Sequence, residues 1–136
     1  IDYTRENVAG RVREITAGEG VAVVYDGVGK DTFAGSMDSL RVCGTMVVFG
    51  NASGPVPPFD PLILSQKGSL FITRPTLGHY TAKRSDLLAL GAELFAVVAS
   101  GQVKIEVNQT YALADAAQAH RDLEARKTTG STVLVP

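Results

Sequence analysis

The sequence predicts an α/β chain that forms the later half of a doubly wound parallel sheet. Three observations predict it. Two apolar runs, Val21–Gly29 (VAVVYDGVG) and Thr45–Gly54 (TMVVFGNASG), each pass into a polar, glycine-rich turn. In an open parallel sheet, ligands sit at such carboxyl ends. Helix-period segments alternate with short β-branched runs, and the connections are long enough for parallel crossovers. No G-x-G-x-x-G occurs, and Gly27-x-Gly29 has Thr32 where a third glycine would stand. One wall of a cofactor crevice is therefore expected, without the glycine-rich wall opposite.

The elements follow in order. Asn7 to Thr16 spaces Val8, Val12 and Ile15 at helical intervals with charges between them. Thr4 is placed to cap this helix and Gly18 to end it. Val21–Tyr25 is a continuous apolar run, as in a strand covered on both faces. Lys30–Leu40 reads as a short helix with Phe33, Met37 and Leu40 on one face, and Cys43–Phe49 as the second buried strand. The stretch Gly50–Pro61 holds Pro55, Pro57, Pro58 and Pro61. Prolines lack the N–H that regular structure needs, so this is a loop. Asp60 can cap a short helix through Gln66. Ser69–Thr73 is a third strand, stopped by Pro75. Right-handed crossovers make this the later half of the sheet.

The character then changes. Ser85 can cap a long helix to Ser100, with Leu87, Leu88, Leu90, Leu94, Phe95 and Val98 on its apolar faces, and Gly101 ends it. Val103–Val107 alternates apolar and polar residues, as in a half-exposed strand. Leu113–Arg126 is an Ala-rich amphipathic helix, and Ser131–Val135 a final strand whose partners are expected outside this segment.

Composition narrows the function. At 136 residues there is length for one modest core. A net charge of −1 gives no footprint for nucleic acid or an anionic membrane. No apolar run approaches the ~20 residues that span a bilayer. The start, Ile1-Asp2-Tyr3, is neither an initiator Met nor a signal peptide, so the chain is expected to begin inside a longer gene product. Cys43 is the only cysteine. It cannot form an internal disulfide or a cysteine-rich zinc site, and an inert, partly buried thiol is expected. A reducing, cytoplasmic setting fits that usage.

Several blocks occur in order: IDYTREN (Ile1–Asn7), VVYDGVGKDTF (Val23–Phe33), FGNASG (Phe49–Gly54), LSQKGSLFITRPTLGHY (Leu64–Tyr80), LFAVVASGQVKI (Leu94–Ile105) and the ending Gly130–Pro136. On these blocks the chain resembles the zeta-crystallin-like quinone oxidoreductase branch of the medium-chain dehydrogenase/reductase superfamily. The resemblance covers essentially the whole chain. It implies a carboxyl-terminal portion: residues 1–80 would be the second half of a Rossmann-type NADP-binding domain. Residues 81–136 would be a linking helix and a segment returning to a GroES-like catalytic domain encoded upstream. It further implies NADPH-dependent reduction of quinones or related electron-poor carbonyl compounds, without zinc.

Residues carry this reading to different degrees. Tyr3, read alone, is a surface tyrosine near a helix start; the resemblance places it by the 2′-phosphate, where a phenol can donate while its ring packs on adenine. Gly27, Val28 and Gly29 follow a strand directly. They are either a plain strand-to-helix turn or, by resemblance, the turn beside the cofactor's ribose and adenine; glycine permits close approach. Asp26 can cap the next helix and is given no catalytic role. Phe49, Gly50, Asn51, Ala52 and Ser53 are, read alone, a polar loop turn; the resemblance places them against the nicotinamide ribose and carboxamide. Asn51 and Ser53 can supply hydrogen bonds there, whereas Phe49 reads as core with its backbone facing the ligand. Arg126 sits in a helix's last turn, favoured there by the macrodipole alone; the resemblance makes it a cofactor-holding cation, with Lys127 a lesser stand-in. His79 and His120 read as structural, and Lys67, Arg74 and Lys83 as solvated charges. No side chain is an evident proton donor, so no catalytic residue is assigned.

The strand Ser69–Thr73 would be a sheet edge, and an apolar edge has to be covered or paired. The resemblance implies a homodimer through it. Alone, the segment is expected to be inactive, because it lacks the turn whose helix N-terminus holds pyrophosphate. Two alternatives remain: a non-catalytic α/β module self-associating through that edge, and a small-molecule binder of flavodoxin-like topology.

Overall fold

The computed structural model describes residues 1–3 and 5–136. It divides into two units, Ile1–Tyr80 and Thr81–Pro136, each with its own parallel sheet.

The first unit opens with α1 (Val8–Ile15). Its cap is Asn7, whose Oδ1 accepts from the Gly10 N–H at 2.8 Å. Thr4, the expected cap, lies outside the described residues. Past the C-cap Thr16 the chain turns at Ala17, at φ 52, and the Gly18 N–H donates to Arg13 O at 2.7 Å. Gly18 is itself at φ 89 and makes the closing bond, while Ala17 takes the preceding left-handed position that usually attracts glycine. Arg13 reads in sequence as one of the charges between apolar positions. Its guanidinium instead donates to the carbonyls of Gly18, Glu19, Asp38 and Leu40 at 2.7–3.3 Å. It ties the end of α1 to the start of the second strand.

The sheet runs β1 (Val21–Asp26), β2 (Leu40–Val48), β3 (Phe71–Thr73), all parallel. Helix α2 (Phe33–Asp38) is shorter than the expected Lys30–Leu40, because Leu40 already belongs to β2. Two steps along β1, Val21 to Val23, answer five along β2, Leu40 to Thr45. The surplus residues loop out, taking Cys43 with them. Cys43 is therefore exposed at φ 56, not partly buried, with its N–H on Gly68 O at 2.8 Å. Asp60 Oδ1 accepts from Leu62 N at 2.9 Å at the start of α3 (Leu62–Gln66).

One face of the sheet is the core. Leu40, Met46 and Val48 pack with Phe33 and Met37 of α2 and with Leu70, and Val24, Val56, Ile63, Leu64 and Ile72 close around them. The opposite face carries the rows Val23–Thr45–Phe71 and Tyr25–Val47–Thr73. Tyr25 is 73% exposed there and Phe71 61%. The first strand is thus covered on one face, not two. A short helix, α4 (Leu77–Tyr80), closes the unit.

In the second unit α5 spans Arg84–Ala99. Ser85 falls inside the first turn and donates to Asp86 Oδ1 at 3.2 Å, so it does not cap; Lys83 holds that position without a side-chain bond. The next strand, β4, is Val107–Ala112 rather than Val103–Val107. Its extent is set by β5 (Ser131–Val135), which pairs with it in parallel from Val107↔Ser131 to Ala112↔Val135. The tail strand therefore finds its partner inside the chain. Between them a 3₁₀ turn (Leu113–Asp115) leads into α6 (Ala116–Glu124).

Candidate functional site

At the carboxyl ends of β1 and β2 the chain turns twice, and the turns are stitched together. The Phe49 and Gly50 N–H groups donate to Asp26 O at 2.9 and 3.3 Å, Ala52 N–H to Gly27 O at 3.3 Å, and Ser53 N–H to Val28 O at 2.9 Å. Ser53 Oγ donates to Val28 O at 2.9 Å and accepts from Asp31 N–H at 3.0 Å. That hydroxyl is occupied within the protein.

Asp26 organises the first turn. It is 3% exposed. Its Oδ1 accepts from the Val28 and Gly29 N–H groups and from Thr32 Oγ1, all at 2.9 Å, and its Oδ2 from Thr32 and Ser36 hydroxyls at 2.8 Å. Burial by itself pushes this carboxyl up. The hydrogen bonds from Gly29, Ser36, Thr32 and Val28 outweigh it and hold the group below its ordinary value. Asp26 is thus a charged pin between turn and α2, a larger role than a helix cap.

The glycines serve the stitching first. A Cβ on Gly50 would meet Gly27 O at 2.1 Å, and one on Gly29, at φ 90, would meet Gly54 O at 2.6 Å. Only backbone without side chains lets the two turns approach this closely. Phe49 is not core: it is 57% exposed, and its ring lies against Gly27.

The structure therefore brings Gly27, Val28, Gly29, Phe49, Gly50, Asn51, Ala52 and Ser53 to one strand-end edge. Tyr3 is exposed ahead of α1 in the same unit. Arg126 belongs to the second unit, at φ 57 just after α6, where Lys127 Nζ contacts Asp122 Oδ1 at 3.3 Å. From Phe49 to Gly54, five main-chain N–H groups donate to carbonyls. The sixth, that of Asn51, has no partner among the described residues.

Sequence reasoning missed Arg74. Its Nη1 donates to Val48 O at 3.2 Å and Gly50 O at 3.1 Å, straddling the Phe49 turn from the end of β3. The available signal was Pro75, which disfavours a helical turn at the residue before it, so that Arg74 leaves the strand end without turning back. Beside it lies a cleft of about 650 Å³ lined by Phe33, Val48, Asn51, Val56 and Phe59 among others. Among the described residues no group of three His, Cys, Asp or Glu side chains is placed to hold a metal ion, and no helix is long and apolar enough to cross a membrane.

Comparison with known proteins follows the same outline. The zinc-binding dehydrogenase family profile matches residues 1–134. A quinone oxidoreductase of Pseudomonas aeruginosa is 56% identical over 136 residues, all of this chain and 42% of its own length. A 2-haloacrylate reductase of a Burkholderia species is 44% identical over 137 residues, all of this chain and 41% of that protein. The crystal structure of Escherichia coli quinone oxidoreductase complexed with NADPH superposes with a TM-score of 0.92 at 48% identity, covering all of this chain and 42% of that one. The chain thus spans about two fifths of the length of the curated relatives it matches.

Proposed function

Since the chain belongs to the zinc-binding dehydrogenase family, we propose that it is the carboxyl-terminal part of an NADPH-dependent quinone oxidoreductase. The observation that carries this reading is the stitched pair of turns, Asp26–Gly29 and Phe49–Gly54, at the carboxyl edge of a parallel sheet. That edge is where an open α/β sheet offers a ligand crevice. The NADPH complex of the E. coli relative supports the choice of cofactor.

The residues present fit a dinucleotide. The second turn offers the Asn51 N–H and the exposed Asn51 side chain as polar contacts, with the Phe49 ring as an apolar one. We assign Phe49–Ser53 to the nicotinamide side and Gly27, Val28 and Gly29 to the ribose and adenine side. Tyr3 is assigned to the 2′-phosphate, and Arg126 of the second unit is assigned separately as a cofactor-holding cation. When bound, NADPH supplies a hydride. This chain's residues orient the cofactor and keep the turn rigid; no side chain here is assigned as proton donor. Residues 1–80 would be the second half of the Rossmann domain, and residues 81–136 the return to the catalytic domain.

The acceptor class is a quinone or related electron-poor carbonyl compound, and the protein is placed in the cytoplasm. The exposed strand Phe71–Thr73 would pair with its copy in a homodimer. The chain alone is proposed to be inactive, because the pyrophosphate turn is not in it. The test is NADPH binding, followed by nicotinamide fluorescence, and reduction of 1,4-benzoquinone by the polypeptide that the whole gene encodes. Binding with turnover there, and no turnover by residues 1–136, is expected. Turnover by residues 1–136 alone would overturn the assignment of the pyrophosphate turn to another part of the protein.

A further inference from the structure

Arg74 faces the proposed cofactor turn without belonging to it. Its Nη1 holds two carbonyls, Val48 O and Gly50 O, that flank Phe49. A peptide unit is planar and trans, so its N–H points opposite its C=O. Fixing Gly50 O toward Arg74 therefore turns the Asn51 N–H away from Arg74. That N–H is the one donor of the Phe49–Gly54 turn with no partner among the described residues. The rest of the turn is fixed from the other side, by Asp26 O, Gly27 O and Val28 O. The Gly50–Asn51 peptide is the one whose carbonyl is held by Arg74 and whose N–H has no partner among the described residues. Among the described residues no carboxylate lies within ion-pairing distance of Arg74, so its polar contacts are these two carbonyls.

We propose that Arg74 is a positioning residue: by clamping Val48 O and Gly50 O it presents the Asn51 main-chain N–H as a hydrogen-bond donor to an acceptor oxygen of the bound nicotinamide nucleotide. The inference rests on the proposed NADPH site. It deepens that reading by adding a residue that would not itself touch the cofactor. A planar guanidinium reaches two carbonyls from one nitrogen at a fixed angle, whereas a lysine ammonium is a point charge on a flexible stem. Geometry, not charge, is therefore what Arg74 contributes.

The experiment uses the whole gene product labelled with ¹⁵N-asparagine, with NADPH as the probe. In the unsubstituted protein, saturating NADPH is expected to move the Asn51 amide resonance. Arg74→Gln is expected to weaken NADPH about fivefold to tenfold, the scale of one hydrogen bond, and to broaden or split the Asn51 amide before any ligand is added. Arg74→Lys keeps the charge and is expected to behave like Arg74→Gln on both counts. Thermal unfolding of each variant separates loss of the turn from loss of the fold. If both variants keep one sharp Asn51 resonance and bind NADPH as the unsubstituted protein does, the inference is overturned. If Arg74→Lys alone is normal, charge and not the clamp is responsible, and the inference is overturned too. Failure of the unsubstituted protein to bind NADPH would overturn the underlying site assignment instead, a result distinct from either.

Discussion

Gly50 lies so close to Gly27 that a Cβ at position 50 would stand 2.1 Å from the Gly27 carbonyl oxygen. No rotamer relieves that contact, because the backbone fixes where the Cβ stands and the obstructing atom is a main-chain oxygen. Gly50→Ala is expected to destabilise the protein by about 3 kcal/mol, the upper range for overpacking. It should also abolish NADPH binding by parting the two turns. Gly35→Ala is the control: it lies inside α2 with open space around it, and it should gain about 0.5–1 kcal/mol. Urea unfolding of the two variants measures both.

Asp26 makes stability depend on acid. Its carboxyl titrates below the ordinary range in the folded protein. A group depressed on folding contributes stability that is complete above its unfolded value. The contribution is lost as the pH falls through the folded value. Unfolding free energy should therefore drop below about pH 4. Asp26→Asn should flatten that limb while sparing the neutral plateau more than Asp26→Ala does. The alanine variant leaves two main-chain donors and two hydroxyls without their acceptor and should cost about 3 kcal/mol at neutral pH. Chemical denaturation between pH 3 and 8 tests the sign.

Arg13 should resist conservative replacement. Its fork serves four carbonyls from two separate stretches of chain, and an ammonium cannot match that spread. Arg13→Lys is expected to cost about 1–2 kcal/mol, as two or so hydrogen bonds are lost. Hydrogen exchange should rise first in the last turn of α1 and at Leu40.

Cys43 sits in the left-handed region, where a side chain costs about 1–2 kcal/mol. Cys43→Gly should therefore raise the unfolding midpoint, although it removes a side chain. The native thiol should react with a maleimide at the rate of an exposed cysteine, since no packing shields it. Protection of that thiol in the folded protein would contradict the bulge.

Much of the first unit was legible because its signals are local. The apolar runs ending in Asp26-Gly27 and Phe49-Gly50 mark strands wherever they occur, and the prolines from Pro55 to Pro61 admit only a loop. Errors fell where partners decide. Leu40 matches a helical face by spacing, yet it is claimed by the register with Val21. Val103–Val107 alternates well, yet the strand forms further on, opposite β5. Cys43 was misread because nothing in the sequence announces a surplus of residues against β1. The glycines of the candidate site were found for an incomplete reason. Their composition points to a ligand, while their first service is to one another. Arg74 was missed because a cation before a proline looks solvated until its carbonyls are located.

Helix α5 carries the last consequence. Leu87, Leu88, Leu90, Leu94 and Phe95 are all exposed along it, Phe95 at 72%. Such a contiguous apolar surface is rare on a protein that lives alone. In colloidal terms the 136-residue chain is an attractive particle with almost no charge to oppose attraction, its net charge being −1. Its osmotic second virial coefficient in dilute buffer is expected to be negative. Mild non-ionic detergent, which coats apolar surface, should reverse the sign, and added sulfate, which strengthens burial, should drive the chain out of solution.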